Sequence, residues 1–450
     1  MNRRLVARLV LGIIFMGGFA CLVQSQAAEV TLEATRSELQ KIPIWVMDFA
    51  NEDRRHSFSL NRQDEVETVL KTDLTRSQVF SVADLRAQTI DFHEDRCLRS
   101  PKLDGAAEQS VAVATWGRVG IGGPKGRETG LIFDACAFDA RTKEIQMGKR
   151  YFARRATDFL LRLMAHKWSD ELVYQYTGEQ GVARTKIAYV SQENTGRELF
   201  VMDYDGYGPR QVTADGFLSL MPTWSRDRKF LVYTAYRKQK QQIVKRELAS
   251  GQEEIVVGPA SLNITPAFSP DGKWLAYASA EEGNSDIYML EMKTKVVTQL
   301  TSHRAADLSP SWSPDGQQLV FTSDRGGHPQ IYIMKRDGSQ AHRITYEGDY
   351  NAAPAWSPQG KWIAYVCRIP HRGFKLCRIT PDGRQVVQIT KGRSIDDSPS
   401  WSPNGRHLAF SSMRRGKSDI YFIHRDGTGL ERLTHGGIHY SSPSWSPFLQ

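Results

Sequence analysis

A short motif recurs six times in the second half of this 450-residue chain: proline, any residue, Trp or Phe, then serine. The copies begin at Pro222, Pro266, Pro310, Pro354, Pro399 and Pro443. Successive aromatic positions are 44, 44, 44, 45 and 44 residues apart. A period in the forties that holds several short strands is typical of a β-propeller blade. The repeat therefore predicts a mainly β fold with a six-bladed β-propeller in the C-terminal part.

One repeat illustrates the predicted blade. After Pro266 and its short strand, Pro270, Asp271 and Gly272 predict a tight turn, because proline presets φ and glycine accepts positive φ. Three apolar segments follow as further strands, at 274–279, 286–290 and 296–301. Small residues such as Ala276 on these strands predict close packing between neighbouring blades.

The two ends of the repeat region complement each other. The region begins at 186–191 with a second strand that lacks a preceding Trp-Ser strand, and it ends at 442–447 with a first strand that has no successor. Pairing these two segments would complete one blade from both ends of the array. Such a ring leaves no unpaired strand edge.

The preceding residues divide into three further segments. Residues 1–28 read as an export signal, with Arg3, Arg4 and Arg8 before an apolar stretch too short to span a bilayer comfortably. Residues 29–41 are expected to form an N-terminal mobile arm. Residues 42–178 carry an alternating helix and strand pattern, which predicts a smaller α/β domain. The propeller is assigned to 179–450.

One helix of the α/β domain is predicted in detail. Thr157 is a capping residue, and 158–176 has helical spacing of apolar residues. The residues expected on its buried face are Phe159, Leu160, Leu163, Leu172 and Val173. The polar, glycine-containing stretch after the helix is the expected linker to the propeller.

Charge argues against a nucleic-acid partner. The formal net charge is +9, and removal of the signal arginines lowers it to +6. Basic pairs such as Arg54–Arg55, Arg154–Arg155 and Arg414–Arg415 are isolated along the sequence, without the basic stripe of a nucleic-acid-binding protein. We interpret them as solvated surface charge.

Four cysteines follow the signal: Cys97, Cys136, Cys367 and Cys377. Export would permit disulfides. Pairing of Cys97 with Cys136 and of Cys367 with Cys377 fits their positions in the two domains, and free buried thiols are the alternative.

The sequence contains no recognisable catalytic constellation. The Gly-x-Ser-x-Gly elbow of hydrolases does not occur. His435 and His439 are four residues apart, but the two glycines between them argue for a loop and against a helical metal site. We therefore expect no enzyme activity, no metal site and no cofactor.

Several stretches are similar to the TolB family of periplasmic propeller proteins in the Tol–Pal envelope system. They are 169–174, 177–178 with 184–190, 203–207, 321–325 and the terminal 443–449. The similarity covers essentially all of the chain after the signal. The pattern departs from the family where Ser225 is followed by Arg226, Asp227 and Arg228 in place of the Pro-Asp-Gly turn.

The resemblance implies a non-catalytic periplasmic adaptor. Members of the family bind the lipoprotein Pal at the mouth of the propeller channel and communicate with TolA, and they maintain the outer membrane and assist constriction at cell division. Other envelope proteins are possible partners, and contact with membranes is expected only through partners. The mobile arm is implicated in TolA binding; its first residues here are Glu29, Val30, Thr31, Leu32 and Glu33.

The loops that enter each innermost strand are expected to ring one end of the channel. Their polar residues are Asn263, Thr265, Asp307, Ser309, Asn351, Asp396, Asp397, Ser398, His439 and Ser441. We predict that they form a partner-binding rim, although solvated loop tips have the same composition. The alternative is an envelope glycan hydrolase or lyase that uses Asp396 and Asp397 in the channel.

Overall fold

The computed structural model describes residues 41–51, 62–85, 97, 110–122, 130–193, 196–280, 284–436 and 439–449. The chain is mainly β within these residues. The predicted signal and mobile arm, including Glu29 to Glu33, lie outside the described residues. No helix in the described ranges is long and apolar enough to cross a membrane.

A five-stranded mixed sheet forms the first layer. Its order is β2–β1–β3–β4–β5, with β1 parallel to both neighbours and the remaining pairs antiparallel. The strands are β1 (Ile42–Asn51), β2 (Phe80–Val82), β3 (Val113–Gly122), β4 (Gly130–Asp139) and β5 (Glu144–Ala153).

Two helices, α1 (Arg62–Arg76) and α2 (Asp158–Thr177), pack against one face of this sheet and form a shared apolar core with it. The predicted cap of α2 is confirmed: Thr157 Oγ1 accepts a hydrogen bond from the Leu160 amide, over 3.2 Å. Gly178 ends the helix at φ 70°, a left-handed conformation that suits glycine.

The predicted buried face of α2 is partly wrong. Phe159 and Leu163 are exposed, whereas Leu161 and Trp168 are buried. The Trp168 indole donates to Thr115 Oγ1 over 2.9 Å, which fixes the rotation of α2 on the sheet. Because that contact comes from a distant strand, the local pattern did not reveal it.

Both predicted disulfides are confirmed. Cys97 is bonded to Cys136 in the α/β domain, and Cys367 is bonded to Cys377 across two neighbouring strands of one propeller sheet.

An eight-stranded sheet joins the two ends of the repeat array. Its strands are β6 (Lys186–Glu193), β7 (Gly196–Asp203), β8 (Arg210–Gln211), β9 (Leu218–Trp224), β10 (Phe230–Arg237), β11 (Lys240–Glu247), β12 (Glu253–Ala260) and β29 (His439–Trp445). One parallel bridge, between Arg197 and Leu218, links its two halves. The terminal strand β29 pairs with β6, with Trp445 opposite Ile187, so the predicted pairing of the two ends is confirmed.

The described residues of the remaining repeats form four sheets of four antiparallel strands. The first contains β13 (Leu262–Phe268), β14 (Trp274–Ala280), β15 (Asp286–Glu291) and β16 (Val297–Gln299), and the second β17 (Asp307–Trp312), β18 (Gln318–Ser323), β19 (Gln330–Lys335) and β20 (His342–Arg343). The third contains β21 (Asn351–Trp356), β22 (Ile363–Ile369), β23 (Gly373–Ile379) and β24 (Val386–Gln388), and the fourth β25 (Ile395–Trp401), β26 (His407–Arg414), β27 (Lys417–His424) and β28 (Glu431–Arg432).

The repeated motif stabilises the turn between the first two strands of each sheet. In one copy the Ser269 hydroxyl donates to Asp271 over 2.6 Å and accepts from the Trp274 amide over 3.0 Å. Gly272 adopts φ 72° and donates its amide to the Ser269 carbonyl. These bonds explain why serine, aspartate and glycine recur at this spacing.

The motif aromatics hold adjacent sheets together. Trp312 donates its indole hydrogen to the Ala267 carbonyl over 3.0 Å, and Trp401 does the same to Ala355 over 2.9 Å. Each bond crosses from one repeat to the preceding one. The predicted core role of these tryptophans is confirmed by their burial.

The innermost strands contact one another in a closed cycle, β9–β13–β17–β21–β25–β29 and back to β9. Each has an irregular register just before its motif proline. The residue before that proline is left-handed, with φ between 49° and 54°. These residues are Met221, Thr265, Ser309, Ala353, Ser398 and Ser442.

The α/β domain contacts the end of the propeller that carries the turns between first and second strands. Tyr204 donates to Asp73 over 2.5 Å, and Arg76 pairs with Glu431 at 2.7 Å. Arg406 donates to the Ser77 carbonyl over 3.2 Å. The loops that enter the innermost strands lie at the opposite ends of the same sheets.

Candidate partner-binding face

The opposite end of the propeller, here called the mouth end, consists of two kinds of loop. One kind leads into each innermost strand, and the other is the hairpin between the second and third strands. Strand pairing places them together: Ile395, at the start of β25, pairs with Met413 near the end of β26. All ten predicted rim residues belong to this end.

Asn263 and Asn351 are buried and make their bonds within the protein. The Asn263 amide donates to the carbonyls of Gly258 and Gln241, at 2.7 and 3.2 Å. Asn351 donates to the Glu347 carbonyl and to Gln330 Oε1, both over 2.8 Å. These side chains fix the shape of the entering loops, so any effect of theirs on a partner would be indirect.

Asp307 and Asp396 are also fully buried. Asp307 accepts from the guanidinium of Arg325 at 2.8 and 3.1 Å, which ties the neighbouring hairpin to the loop. Asp396 accepts from Ser412 over 2.6 Å and from Ser394 over 3.0 Å. Like Asn263 and Asn351, both residues lie at the mouth end as the sequence predicts, but their burial is not predictable from the loop sequence.

A buried cation accompanies Asp396. Lys375 Nζ lies 3.8 Å from the Asp396 carboxylate and donates to the Ser394 carbonyl. Burial lowers the pKa of Lys375, Asp396 opposes that shift, and the nearby Arg414 adds to it. Sequence reasoning missed Lys375, because a lysine inside a strand pattern reads as a solvent-facing position.

Asp397 and His439 are exposed at the mouth end. Crowding by surrounding protein raises the pKa of Asp397, although its side chain reaches solvent; the Ser398 amide opposes the shift by donating to it over 2.6 Å. Asp397 and His439 are the predicted rim residues whose side chains a partner would reach most readily.

The other predicted residues, Thr265, Ser309, Ser398 and Ser441, are half-buried. The first three occupy the left-handed positions described above. A β-branched residue such as Thr265 rarely adopts that conformation, and its cost must be met by the surrounding packing. Their recurrence in successive strands gives them a structural role in bending each strand at the channel.

A second polar cluster lies at the domain junction, away from the mouth. The His166 ring nitrogen Nδ1 lies 2.8 Å from Asp73 Oδ2, and its pKa is raised by the two neighbouring carboxylates, Asp73 and Asp205, against the effect of burial. Asp205 is also paired with Arg162. The cluster joins charged groups of both domains, and ligand atoms of His166, Asp203 and Asp205 lie within 4.8 Å of one another, an arrangement that could hold a metal ion.

The fold and the mouth-end geometry define a β-propeller protein with an N-terminal α/β domain. The family PD40, TolB beta propeller domain, matches residues 173–449. The chain therefore belongs to the TolB beta propeller family.

Individual relatives agree with this assignment. The chain is 34% identical over 246 residues to the Tol-Pal system protein TolB of Methylobacillus flagellatus, covering 54% of this chain and 53% of that protein. It is 32% identical over 170 residues to TolB of Desulfosudis oleivorans, covering 35% and 38% of the two chains. The matches thus span about half or less of these relatives.

A solved structure extends the likeness in fold. The crystal structure of TolB from Acinetobacter baumannii superposes with a TM-score of 0.75 at 24% identity, covering 91% of this chain and 97% of that chain. At this identity the comparison concerns the fold, and it includes the α/β domain as well as the propeller.

Proposed function

We propose that this protein is a non-catalytic periplasmic adaptor of the Tol–Pal system that binds the lipoprotein Pal at the mouth end of its propeller. The observation that carries the proposal is the family match over 173–449, combined with a mouth end that faces away from the α/β domain. The proposal includes a link to TolA through residues 29–33, and a role in outer-membrane integrity and cell division.

The proposed architecture has six blades. The two halves of the eight-stranded sheet count as two blades, with β29 and β6 in one of them, and the four-stranded sheets supply the others. The cycle of innermost strands supports this count. We assign residues 42–178 to the α/β domain and 179–450 to the propeller.

The burial of Asp396 argues against the glycan hydrolase alternative. Glycoside hydrolysis commonly uses two accessible carboxylates, one on either side of the scissile bond. Asp396 is buried and engaged with Ser394, Ser412 and Lys375, which leaves Asp397 as the accessible member of the pair. A docking role requires no such pair.

Surface plasmon resonance with the soluble domain of the same organism's Pal tests the proposal. We expect saturable binding to the chain without its signal. An absence of binding at roughly 50 µM, a concentration that detects even weak specific complexes, would contradict it. If Pal and TolA binding are coupled through the arm, each partner must change the affinity for the other by the same factor.

A further inference from the structure

One sector of the mouth end carries a concentration of positive charge. Three loops contribute: the hairpin after β22, the loop before β25 and the hairpin after β26. Five of their cations are exposed, and they are called the basic patch: Arg372, Lys391, Arg393, Arg415 and Lys417. Arg414–Arg415 is an isolated pair along the sequence, but folding brings it beside the other two loops.

Contacts between backbone and side chains hold the three loops side by side. Lys375, at the start of β23, donates to Ser394 in the loop before β25. Ser412, at the end of β26, donates to Asp396 at the other end of that loop. The loop with Lys391 and Arg393 is therefore fixed between the two hairpins.

The basic patch carries uncompensated positive charge among the residues that the structure describes. None of the five makes an ion pair within the part of the chain that the structure describes. The adjacent Arg368, by contrast, is paired with Asp349. The segments 368–373, 390–397 and 414–417 together contain seven lysine and arginine residues. They contain two acidic residues, and one of these is the buried Asp396.

An exposed apolar pair lies among these charges. Ile395 and Met413 are directly opposite each other on β25 and β26, and they are 45% and 39% exposed. Exposed apolar side chains with charged neighbours are typical of the centre and rim of a protein interface. The patch thus offers both long-range attraction and a small area for close packing.

We propose that the basic patch and the Ile395–Met413 pair form the docking surface for an acidic protein segment that presents an apolar side chain. This inference rests on the proposed function and names the sector and the partner chemistry. A protein partner fits better than an anionic lipid surface, because a flat layer of phosphates would also meet the exposed carboxylate Asp397. A protein partner can place its acidic side chains opposite the patch cations and away from Asp397.

The test compares two triple variants that change the net charge equally. The first is Lys391→Glu, Arg393→Glu and Arg415→Glu in the patch. The control is Arg226→Glu, Lys293→Glu and Lys335→Glu, three exposed cations at the opposite end of the propeller. Circular dichroism and thermal melting establish that both variants fold.

The measured quantity is the association rate with the soluble domain of Pal at low and high salt. Steering by several charges changes association rates by about 10- to 1000-fold and fades with ionic strength. We expect the patch variant to associate at least about tenfold more slowly than wild type at low salt. The control should stay within about threefold, because its charges lie far from the docking surface.

A separate variant tests the apolar pair. Ile395→Ser with Met413→Ser should leave the association rate nearly unchanged and raise the dissociation rate, since short-range packing acts mainly on residence time. An unchanged dissociation rate would remove this pair from the docking surface and overturn that part of the inference.

The outcomes separate the two proposals. If wild type binds Pal and the patch variant matches the control, the patch is wrong and the proposed function stands. If wild type does not bind Pal at all, the proposed function fails and this inference fails with it. If the patch variant instead loses binding only to phosphatidylglycerol–phosphatidylethanolamine vesicles, the surface binds lipid and the protein-docking proposal is overturned.

Discussion

Trp445 donates its indole hydrogen to Thr185 Oγ1 over 2.8 Å, although the two residues are 260 positions apart in the chain. Beside this contact, the Lys186 amide donates to the Ser446 hydroxyl over 2.9 Å. Strand β29 and the residue after it are thus bonded to the start of the propeller's first strand, β6. The ring is sealed by contacts between its two ends.

Loss of this seal should destabilise the propeller. Deletion of residues 441–450 removes most of β29 and leaves one edge of β6 unpaired, so we expect a lower melting temperature and a less cooperative transition. Trp445→Ala should cost about 3–5 kcal/mol through the lost packing alone. Thermal melting of the deletion variant and urea denaturation of the Trp445→Ala variant measure these losses. Deletion of Leu449 and Gln450 is the control.

The buried carboxylate and the exposed one should respond differently to removal. Asp396→Ala leaves the buried Lys375 without its counter-charge, and we expect a loss of about 3 kcal/mol in the free energy of unfolding. Asp397→Ala should change stability by less than about 0.5 kcal/mol, because its side chain is solvent-exposed. Equal stability losses in the two variants would contradict the assigned environments.

The two disulfides should contribute unequally. In the chain-entropy account, the 39-residue separation of Cys97 and Cys136 is worth about 4 kcal/mol and the 10-residue separation of Cys367 and Cys377 about 3 kcal/mol. Double Cys→Ala variants of each pair, compared by urea denaturation, measure the difference. The prediction fails if the shorter loop proves the more stabilising.

Acid should weaken the protein through a buried histidine pair. The Nδ1 atoms of His407 and His424 are 3.1 Å apart beneath the ring of Trp445, and burial lowers the pKa of His407 well below 6.5 and that of His424 to about 4. The neighbouring Asp426 and Glu431 only partly oppose the shift of His424.

The sign of the effect follows from these depressed pKa values. The unfolded chain binds protons below about pH 6.5, whereas the folded chain resists them until about pH 4, so stability falls as the pH is lowered through this window. Each histidine contributes at most about 1.4 kcal/mol per pH unit. Thermal melts from pH 7.5 to 4.5 should be flatter for His424→Gln than for wild type. Replacement of the exposed His328 by Gln is the control and should leave the slope unchanged.

The domain junction should depend on Tyr204. Its hydroxyl donates to the buried Asp73, and Tyr204→Phe removes that bond without changing the packing of the ring. Loss of a bond to a charged group costs about 1.5–3 kcal/mol. We expect earlier proteolytic cleavage between 178 and 185 in this variant, whereas cleavage unchanged from wild type would argue against a coupling role.

The sequence was informative where structure repeats. The 44-residue period, the motif serine and the two incomplete ends together predict the blades and their closure, because each depends on local turn chemistry or on simple counting. The tryptophans were correctly expected in the core for the same reason.

The rim was harder to predict. Asn263 and Asp396 lie at polar loop entrances, yet their burial depends on Gly258, Gln241 and Lys375, which come from other loops or strands. The exposure of Phe159 likewise follows from the docking of Trp168 on a distant strand. The basic patch unites three loops that are about 20 residues apart in the chain, so only the folded topology reveals it.

Hydrogen exchange with and without the soluble domain of Pal tests the central claim most directly. The account predicts slower exchange at the mouth end, concentrated in 368–373, 390–397 and 413–418, with little change in the turns around Asp271 and Asp315 at the opposite end. Protection confined to the α/β domain or to the opposite end, with no change in these three loops, would contradict it.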